Sequence, residues 1–147
     1  MTPRTAVPVA LGLDAGSVRI GVAATDPTGT IASPVTTLRR DDPALLERIG
    51  AEARVRGATR IVVGLPRAMS GAEGAAAESA RRFAEEVARG TDLPVEMWDE
   101  RLTSVQAERS LVATGMRRRR RREVADAVAA GLMLQAWLDH SCGLARR

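Results

Sequence analysis

The hydrophobic residues in the first forty positions fall into three short runs separated by turn residues. Residues 7–14 form an apolar run that ends in an acid, and residues 19–26 form a second run after a small turn. Residues 26–29 place Asp, Pro and Gly where a type I turn prefers them, and they lead into a third run at residues 30–38. This pattern predicts three consecutive antiparallel strands.

Helical spacing follows these runs. Asp42 and Pro43 have the residue types of a helix cap and a first helical position. Apolar residues then recur on one helical face, at Leu45, Leu46, Ile49 and Ala53. Gly57 would end this helix, and residues 59–65 form a continuous apolar run, which is typical of a strand covered on both faces.

The second half of the chain alternates between helical and extended patterns. Residues 75–89 are strongly helical, and residues 93–98 form a fifth apolar run. A capping-box pattern opens a predicted helix at residues 103–114. Residues 124–138 are apolar on nearly every side, which predicts a buried final helix.

The order of these elements predicts the fold class. Three strands followed by alternating helices and strands favour an α/β fold, with a mixed five-stranded sheet and helices on its faces. The chain has 147 residues and shows neither a linker nor an internal repeat. We therefore expect one domain that spans residues 1–147.

Composition limits the chemistry that is available. Apolar residues make up 45% and charged residues 27% of the chain, as in ordinary globular proteins. Residues 1–7 lack a signal-peptide pattern and no apolar segment is long enough to span a membrane, so we expect a cytoplasmic protein without membrane contact. His140 and Cys142 are the only residues of their types, which excludes an internal disulfide and a Cys/His zinc cluster. Carboxylates, hydroxyls and arginines therefore have to provide the function.

The positive charge is concentrated in one segment. The formal net charge is +4, yet outside residues 117–122 the chain carries 16 arginines against 18 acids. The segment consists of Arg117, Arg118, Arg119, Arg120, Arg121 and Arg122. Such a cluster can neutralise several nucleic-acid phosphates without reading the sequence, although charge runs also occur as solvated loops. Because few aromatic residues are available to stack on bases, recognition would depend on backbone and shape.

Three acids are placed where they could form a metal site. Asp14 ends a predicted strand, Glu100 follows another, and Asp126 lies near the start of the final helix. Carboxylates that converge repel one another unless a cation compensates them. Mg²⁺ and Mn²⁺ prefer oxygen ligands, and two such ions about 3.5–4 Å apart can activate a water and stabilise the leaving oxygen of a phosphodiester. The acids are therefore candidate ligands for ions that could support phosphodiester hydrolysis.

Each acid also has a structural interpretation. Asp14 could be a turn residue, and Asp126 could interact with the dipole of a first helical turn. Glu100 could form a surface ion pair with Arg101. Arg101 itself could contact the scissile phosphate or position Glu100. The residues alone leave these alternatives open.

Taken together, four motifs resemble the YqgF family, also called RuvX, of Holliday junction resolvases and pre-16S rRNA nucleases. The resemblance covers nearly the whole chain. The motifs are residues 12–23 (GLDAGSVRIGVA), residues 61–66 (IVVGLP) with Gly71 and Gly74, residues 99–104 (DERLTS) and residues 126–138 (DAVAAGLMLQAWL). The chain departs from the family pattern at Ala68 and Ser70, where many members have Asn and Asp, and at Gln106, where Glu is frequent.

The resemblance implies an RNase H-like fold with Asp14, Glu100 and Asp126 as the catalytic, metal-binding positions. It also implies maturation of the 5′ end of 16S ribosomal RNA, and it leaves open a resolvase-like cleavage of branched DNA. A catalytically silent RNA-binding factor of ribosome assembly is a further alternative. We expect structured RNA as the partner, and because the sequence gives no clear dimer signal we expect a monomer.

Overall fold

The computed structural model of the chain describes residues 8–66, 70–102 and 118–145. Its strands are β1 (Val9–Ala15), β2 (Arg19–Thr25), β3 (Ala32–Arg39), β4 (Ala58–Leu65) and β5 (Val95–Asp99). Its helices are α1 (Leu45–Arg56), α2 (Ala75–Thr91) and α3 (Arg118–Ala145), and a short 3₁₀ helix, Glu100–Leu102, follows β5. The predicted helix at residues 103–114 and the first arginine of the basic segment, Arg117, lie outside the described residues.

The five strands form one mixed sheet in the order β3-β2-β1-β4-β5. β1 and β3 each pair antiparallel with β2, because short connections join consecutive strands of this kind. β4 pairs parallel with β1, and β5 pairs parallel with β4. α1 and α2 lie in the long connections that lead to β4 and β5. The prediction of an α/β fold with a mixed five-stranded sheet is confirmed.

Side chains along β1 alternate between two buried layers. Leu11 and Leu13 face the layer that contains α1 and α2, whereas Ala10 and Gly12 face α3. Asp14 has the same parity as Ala10 and Gly12, so its carboxylate lies on the α3 face. α3 covers that face with residues at helical spacing that are at most 4% exposed, namely Ala130, Met133, Leu134, Trp137 and Leu138.

Two contacts dock α3 on the sheet. Gly12 leaves space for Leu134, whose Cβ would be 2.9 Å from a Cβ added at position 12. Gln135 reaches the edge strand β3, where its Oε1 accepts a hydrogen bond from the N–H of Ala32 at 2.8 Å. The Nε2 of Gln135 donates to the carbonyl of Thr30 at 3.1 Å. These contacts hold α3 across the antiparallel half of the sheet.

Two helix boundaries differ from the prediction. α3 begins at Arg118 rather than at 124 and continues to Ala145 rather than to 138. Arginine is a good helix former, so residues 118–122 extend the helix and are not a solvated loop. α1 begins only at Leu45, because Asp42 caps the preceding turn by accepting a hydrogen bond from the N–H of Ala44. In the described part of the chain, no helix has the length and apolar character needed to cross a membrane.

Candidate active site

Asp14 lies near the end of β1, in the middle of the sheet and on its α3 face. The strand register places it opposite Gly21 of β2. On the other side, the pairing of Leu13 with Val63 brings Gly64 of β4 next to Asp14. Because both neighbours lack a side chain, other groups can approach the half-buried carboxylate from either side.

Gly21 allows α3 to approach the sheet beside Asp14. A Cβ at position 21 would overlap the main-chain oxygen of Asp126 and would lie 3.1 Å from the nitrogen of Ala127. The helix backbone at Asp126 therefore rests directly on β2, one strand away from Asp14.

Gly21→Ala is expected to destabilise the protein by about 1–3 kcal/mol or more, because the added methyl group meets helix backbone that has no rotamer by which to move away. The midpoint of urea unfolding measures this effect. Gly131→Ala is the matched control, since its Cβ would make an ordinary contact of 3.4 Å with Pro34. Alanine also favours a helix over glycine, so the control should be neutral or stabilising. Equal midpoints for Gly21→Ala and wild type would show that α3 does not rest on β2 at this point.

Gly64 makes the corresponding space for Glu100. Glu100 begins the short 3₁₀ helix after β5, and its carboxylate reaches back over β4. A Cβ at position 64 would overlap Oε1 of Glu100. This placement brings Glu100 to Asp14, and the two side chains share a hydrogen bond.

The environment of Glu100 favours its protonated form. The pKa of Glu100 is raised from its ordinary value of 4.5 to about 8. Burial is the largest cause, because it penalises the charged form; the hydrogen bond and the charge of Asp14 follow, and the charge of Asp99 adds to them. At neutral pH the Glu100 carboxyl is therefore mainly protonated.

The third predicted acid, Asp126, has a different partner. Its Oδ2 accepts a hydrogen bond from Nε of Arg19 at 2.7 Å, and the side chains of Arg19 and Asp126 are 26% and 35% exposed. Asp126 lies in the interior of α3, so its interpretation as an acid in a first helical turn is wrong. Within the three described ranges, no three His, Cys, Asp or Glu side chains are grouped closely enough to hold a metal ion. The structure thus brings Asp14 and Glu100 together and leaves the neighbouring Asp126 paired with Arg19.

Arg101 is bound to Asp99. Its Nε donates to both carboxylate oxygens of Asp99 at 3.0 Å, and its Nη2 donates to Oδ2 at 2.6 Å. These contacts do not test the alternative of a surface ion pair between Glu100 and Arg101, which stays a prediction. The Asp99–Arg101 pair stabilises the chain on either side of Glu100, at the end of β5.

Comparison of the sequence with known families places the chain in one of them. Residues 8–140 match the family model described as RuvX, Holliday junction resolvase. The chain belongs to the RuvX family. RuvX proteins are nucleases, and this chain is accordingly a hydrolase acting on phosphodiester bonds.

Individual relatives of this RuvX chain are similar over most of their length. A protein of Kineococcus radiotolerans is 49% identical over 134 residues, which cover 89% of this chain and 71% of that protein. A protein of Myxococcus xanthus is 46% identical over 133 residues, which cover 88% and 86%. Both bear the name "Putative pre-16S rRNA nuclease".

A solved structure supports the fold of this RuvX chain. RuvC of Thermus thermophilus, in complex with a Holliday junction substrate, superposes with a TM-score of 0.51 and covers 92% of this chain and 97% of that one. The sequences are only 17% identical, so the similarity concerns the fold. RuvC has an RNase H-like fold, and the RNase H-like prediction is confirmed.

The sequence patterns did not single out two arginines that support the site of this RuvX chain. One is Arg19, the partner of Asp126. The other is Arg40, whose Nη1 donates to the carbonyl of Gly16 at 2.8 Å and whose Nη2 donates to Oγ of Ser79 at 2.7 Å. Arg40 thereby ties the turn after β1 to α2. For Arg19 a signal existed, because its spacing of two from Gly21 places it on the α3 face.

The basic segment precedes Asp126 in the sequence. Residues 118–122 form the first turns of α3, upstream of Asp126. Their side chains, like Arg117, lie outside the described residues. Their contact with substrate phosphates stays a prediction.

Proposed function

We propose that this RuvX chain cleaves phosphodiesters with Mg²⁺ or Mn²⁺ held by Asp14, Glu100 and Asp126. The supporting observation is the Asp14–Glu100 pair, two half-buried carboxyl groups that lie together, with the pKa of Glu100 raised by burial and by Asp14. Such a pair is unfavourable unless a proton or a cation compensates its charge. Its donors are oxygen atoms only, the type that hard divalent cations prefer. The residues therefore fit a divalent ion.

A different observation supports Asp126 as a ligand of the divalent ion. The main chain of Asp126 packs against Gly21, one strand away from Asp14, and its carboxylate binds a cationic group, the guanidinium of Arg19. A divalent ion could replace this guanidinium as the cationic partner of the carboxylate. Arg19 is therefore the partner that Asp126 would leave on binding an ion.

The residues of the chain would have distinct tasks in the reaction. A bound divalent ion would supply an activated water and stabilise negative charge on the leaving oxygen. Asp14 would provide an oxygen ligand from β1, Glu100 one from the 3₁₀ helix after β5, and Asp126 one from α3. Arg101 and residues 117–122 would bind substrate phosphates, for which guanidinium groups are suited by their paired donors.

As the substrate we propose the 5′ region of pre-16S rRNA, processed in the cytoplasm. The names of relatives at 46–49% identity support this choice. The arginine segment also suits a folded RNA with closely spaced phosphates. The family description favours cleavage of a Holliday junction as the second candidate. A junction requires two coordinated cuts, which a twofold dimer provides, whereas we propose a monomer.

A direct comparison of substrates tests this choice. A labelled pre-16S rRNA 5′ segment and a synthetic four-way DNA junction are incubated with the protein and Mn²⁺ at equal ionic strength. We expect the RNA to be cut faster by roughly tenfold or more, equivalent to about 1.4 kcal/mol, by a protein of monomeric mass in light scattering. Paired symmetric cuts in the junction by a dimer, with the RNA left intact, would contradict the proposal.

A further inference from the structure

A groove with a volume of about 600 Å³ lies between the edge strand β3 and α3. Thr37 and Arg39 line it from β3, and Arg19 lines it from β2. The α3 wall consists of Val124, Ala127 and Val128, residues that bracket Asp126 in the same helix turns. The groove therefore opens beside the candidate active site.

Two of the described residues that line this groove, Arg19 and Arg39, carry guanidinium groups. Arg19 and Arg39 are direct partners in the register of β2 and β3, an arrangement in which like charges repel. Each has an acid as a local partner: Asp126 for Arg19 and Asp41 for Arg39. The Arg39–Asp41 pair is exposed, with side chains 64% and 72% accessible, so its guanidinium can exchange partners at little cost. The site is thus suited to an incoming anion.

The other groove residues indicate which anion fits. None of its described lining residues is acidic or aromatic, and Pro34, Val35 and Leu38 add apolar surface. Without aromatic rings the groove offers no stacking platform for bases. Guanidinium groups can bind phosphates, and apolar side chains can contact sugars. A cleft of this volume accommodates a few nucleotides of one strand rather than a duplex.

We propose that the groove between β3 and α3 binds the sugar-phosphate backbone of a single nucleic-acid strand and leads it to the acidic residues. This inference rests on the proposed nuclease function. Arg19 connects the groove with the acidic residues, because it lines the groove and also binds the carboxylate of Asp126. Arg39 provides a phosphate contact farther from the acids.

Binding without cleavage tests the groove separately from the chemistry. Fluorescence anisotropy in EDTA measures the affinity of the protein for labelled single strands of RNA and of DNA over a series of salt concentrations. Arg39→Gln is compared with Arg82→Gln, which removes the same charge from α2 on the other face of the sheet. Arg82 is an apt control because it too is exposed, at 72%, and pairs with an exposed acid, Glu78. The melting temperature verifies that both variants are folded.

We expect Arg39→Gln to weaken binding about fivefold or more and to reduce the slope of log K against log salt by about 0.7, the loss of one single-strand phosphate contact. Arg82→Gln should change neither quantity by a comparable amount. Weakening with RNA and DNA alike supports a phosphate contact; weakening with RNA alone supports the groove with RNA as its ligand. Equal effects of the two variants, or an effect of Arg39→Gln on duplexes only, would overturn the proposal. Because no cleavage is measured, this outcome is independent of whether the acids are catalytic.

Discussion

Asp14→Asn is expected to abolish cleavage, lowering the single-turnover rate constant roughly 1000-fold or more, which corresponds to about 4 kcal/mol of lost transition-state stabilisation. The substitution retains the shape of the side chain but removes the charge that an ion would bind. It also removes one member of a pair of acids that repel each other. The variant should therefore remain folded, which thermal unfolding in EDTA verifies. The rate is measured on labelled RNA with saturating Mn²⁺.

Asp92→Asn is the matched control for this experiment. Asp92 ends α2 in the left-handed conformation, with φ of 57°, which asparagine readily adopts. Asp92→Asn changes the net charge by the same amount as Asp14→Asn, and this variant should cleave RNA like wild type. Wild-type activity in Asp14→Asn would place the chemistry elsewhere. RNA binding without metal-dependent cleavage, even by wild type, would support the alternative of a silent ribosome-assembly factor.

Glu100→Gln is expected to reduce cleavage by roughly 100-fold or more and to remove a pH dependence of stability from the metal-free protein. Folded wild type retains the Glu100 proton up to a pKa of about 8, whereas the unfolded chain releases it near 4.5. Between these values the folded state binds more protons, so the stabilisation is complete below pH 4.5 and is lost as the pH rises toward 8. In EDTA, the melting temperature of wild type should fall across this window more steeply than that of the variant.

Adding a divalent ion provides a second test of the protonation of Glu100. Mn²⁺ should raise the melting temperature of wild type more at pH 8 than at pH 6, because ion binding requires the ionised carboxyl and stabilises only the folded state. Glu96→Gln is the control, since Glu96 is exposed on β5 and pairs at 3.9 Å with Arg60. It should retain the wild-type pH dependence. Parallel pH curves for wild type and Glu100→Gln would show that Glu100 does not retain a proton at neutral pH.

The strands were predictable because their patterns are local. Each run of apolar residues ends at a turn signal, and the continuous run at residues 59–65 matches the buried β4 within one residue. The start of α3 was not predictable in this way. A run of arginines has no apolar periodicity, and its high helix propensity shows only where a longer packed helix follows. The final helix was recognised from its apolar residues and was therefore predicted too short.

The candidate site was predictable to the extent that it follows from strand ends. Asp14 and Glu100 follow buried strands, and parallel pairing of β1, β4 and β5 brings the ends of those strands to one edge of the sheet. The Arg19–Asp126 pair joins residues 107 positions apart and depends on how α3 sits on β2. Gly21 determines that placement, yet a glycine in a strand does not indicate which group approaches it. Contacts of this kind depend on tertiary packing, which local sequence patterns do not contain.

The central claim is that Asp14, Glu100 and Asp126 hold divalent ions, and crystals soaked in Mn²⁺ test it most directly. Data collected for the anomalous signal of manganese locate any bound ion independently of cleavage. We predict an anomalous peak within ligand distance of Asp14 and Glu100, with the Asp126 carboxylate turned from Arg19 toward it. The absence of a peak there at a Mn²⁺ concentration that supports cleavage, with Asp126 still bound to Arg19, would contradict the claim.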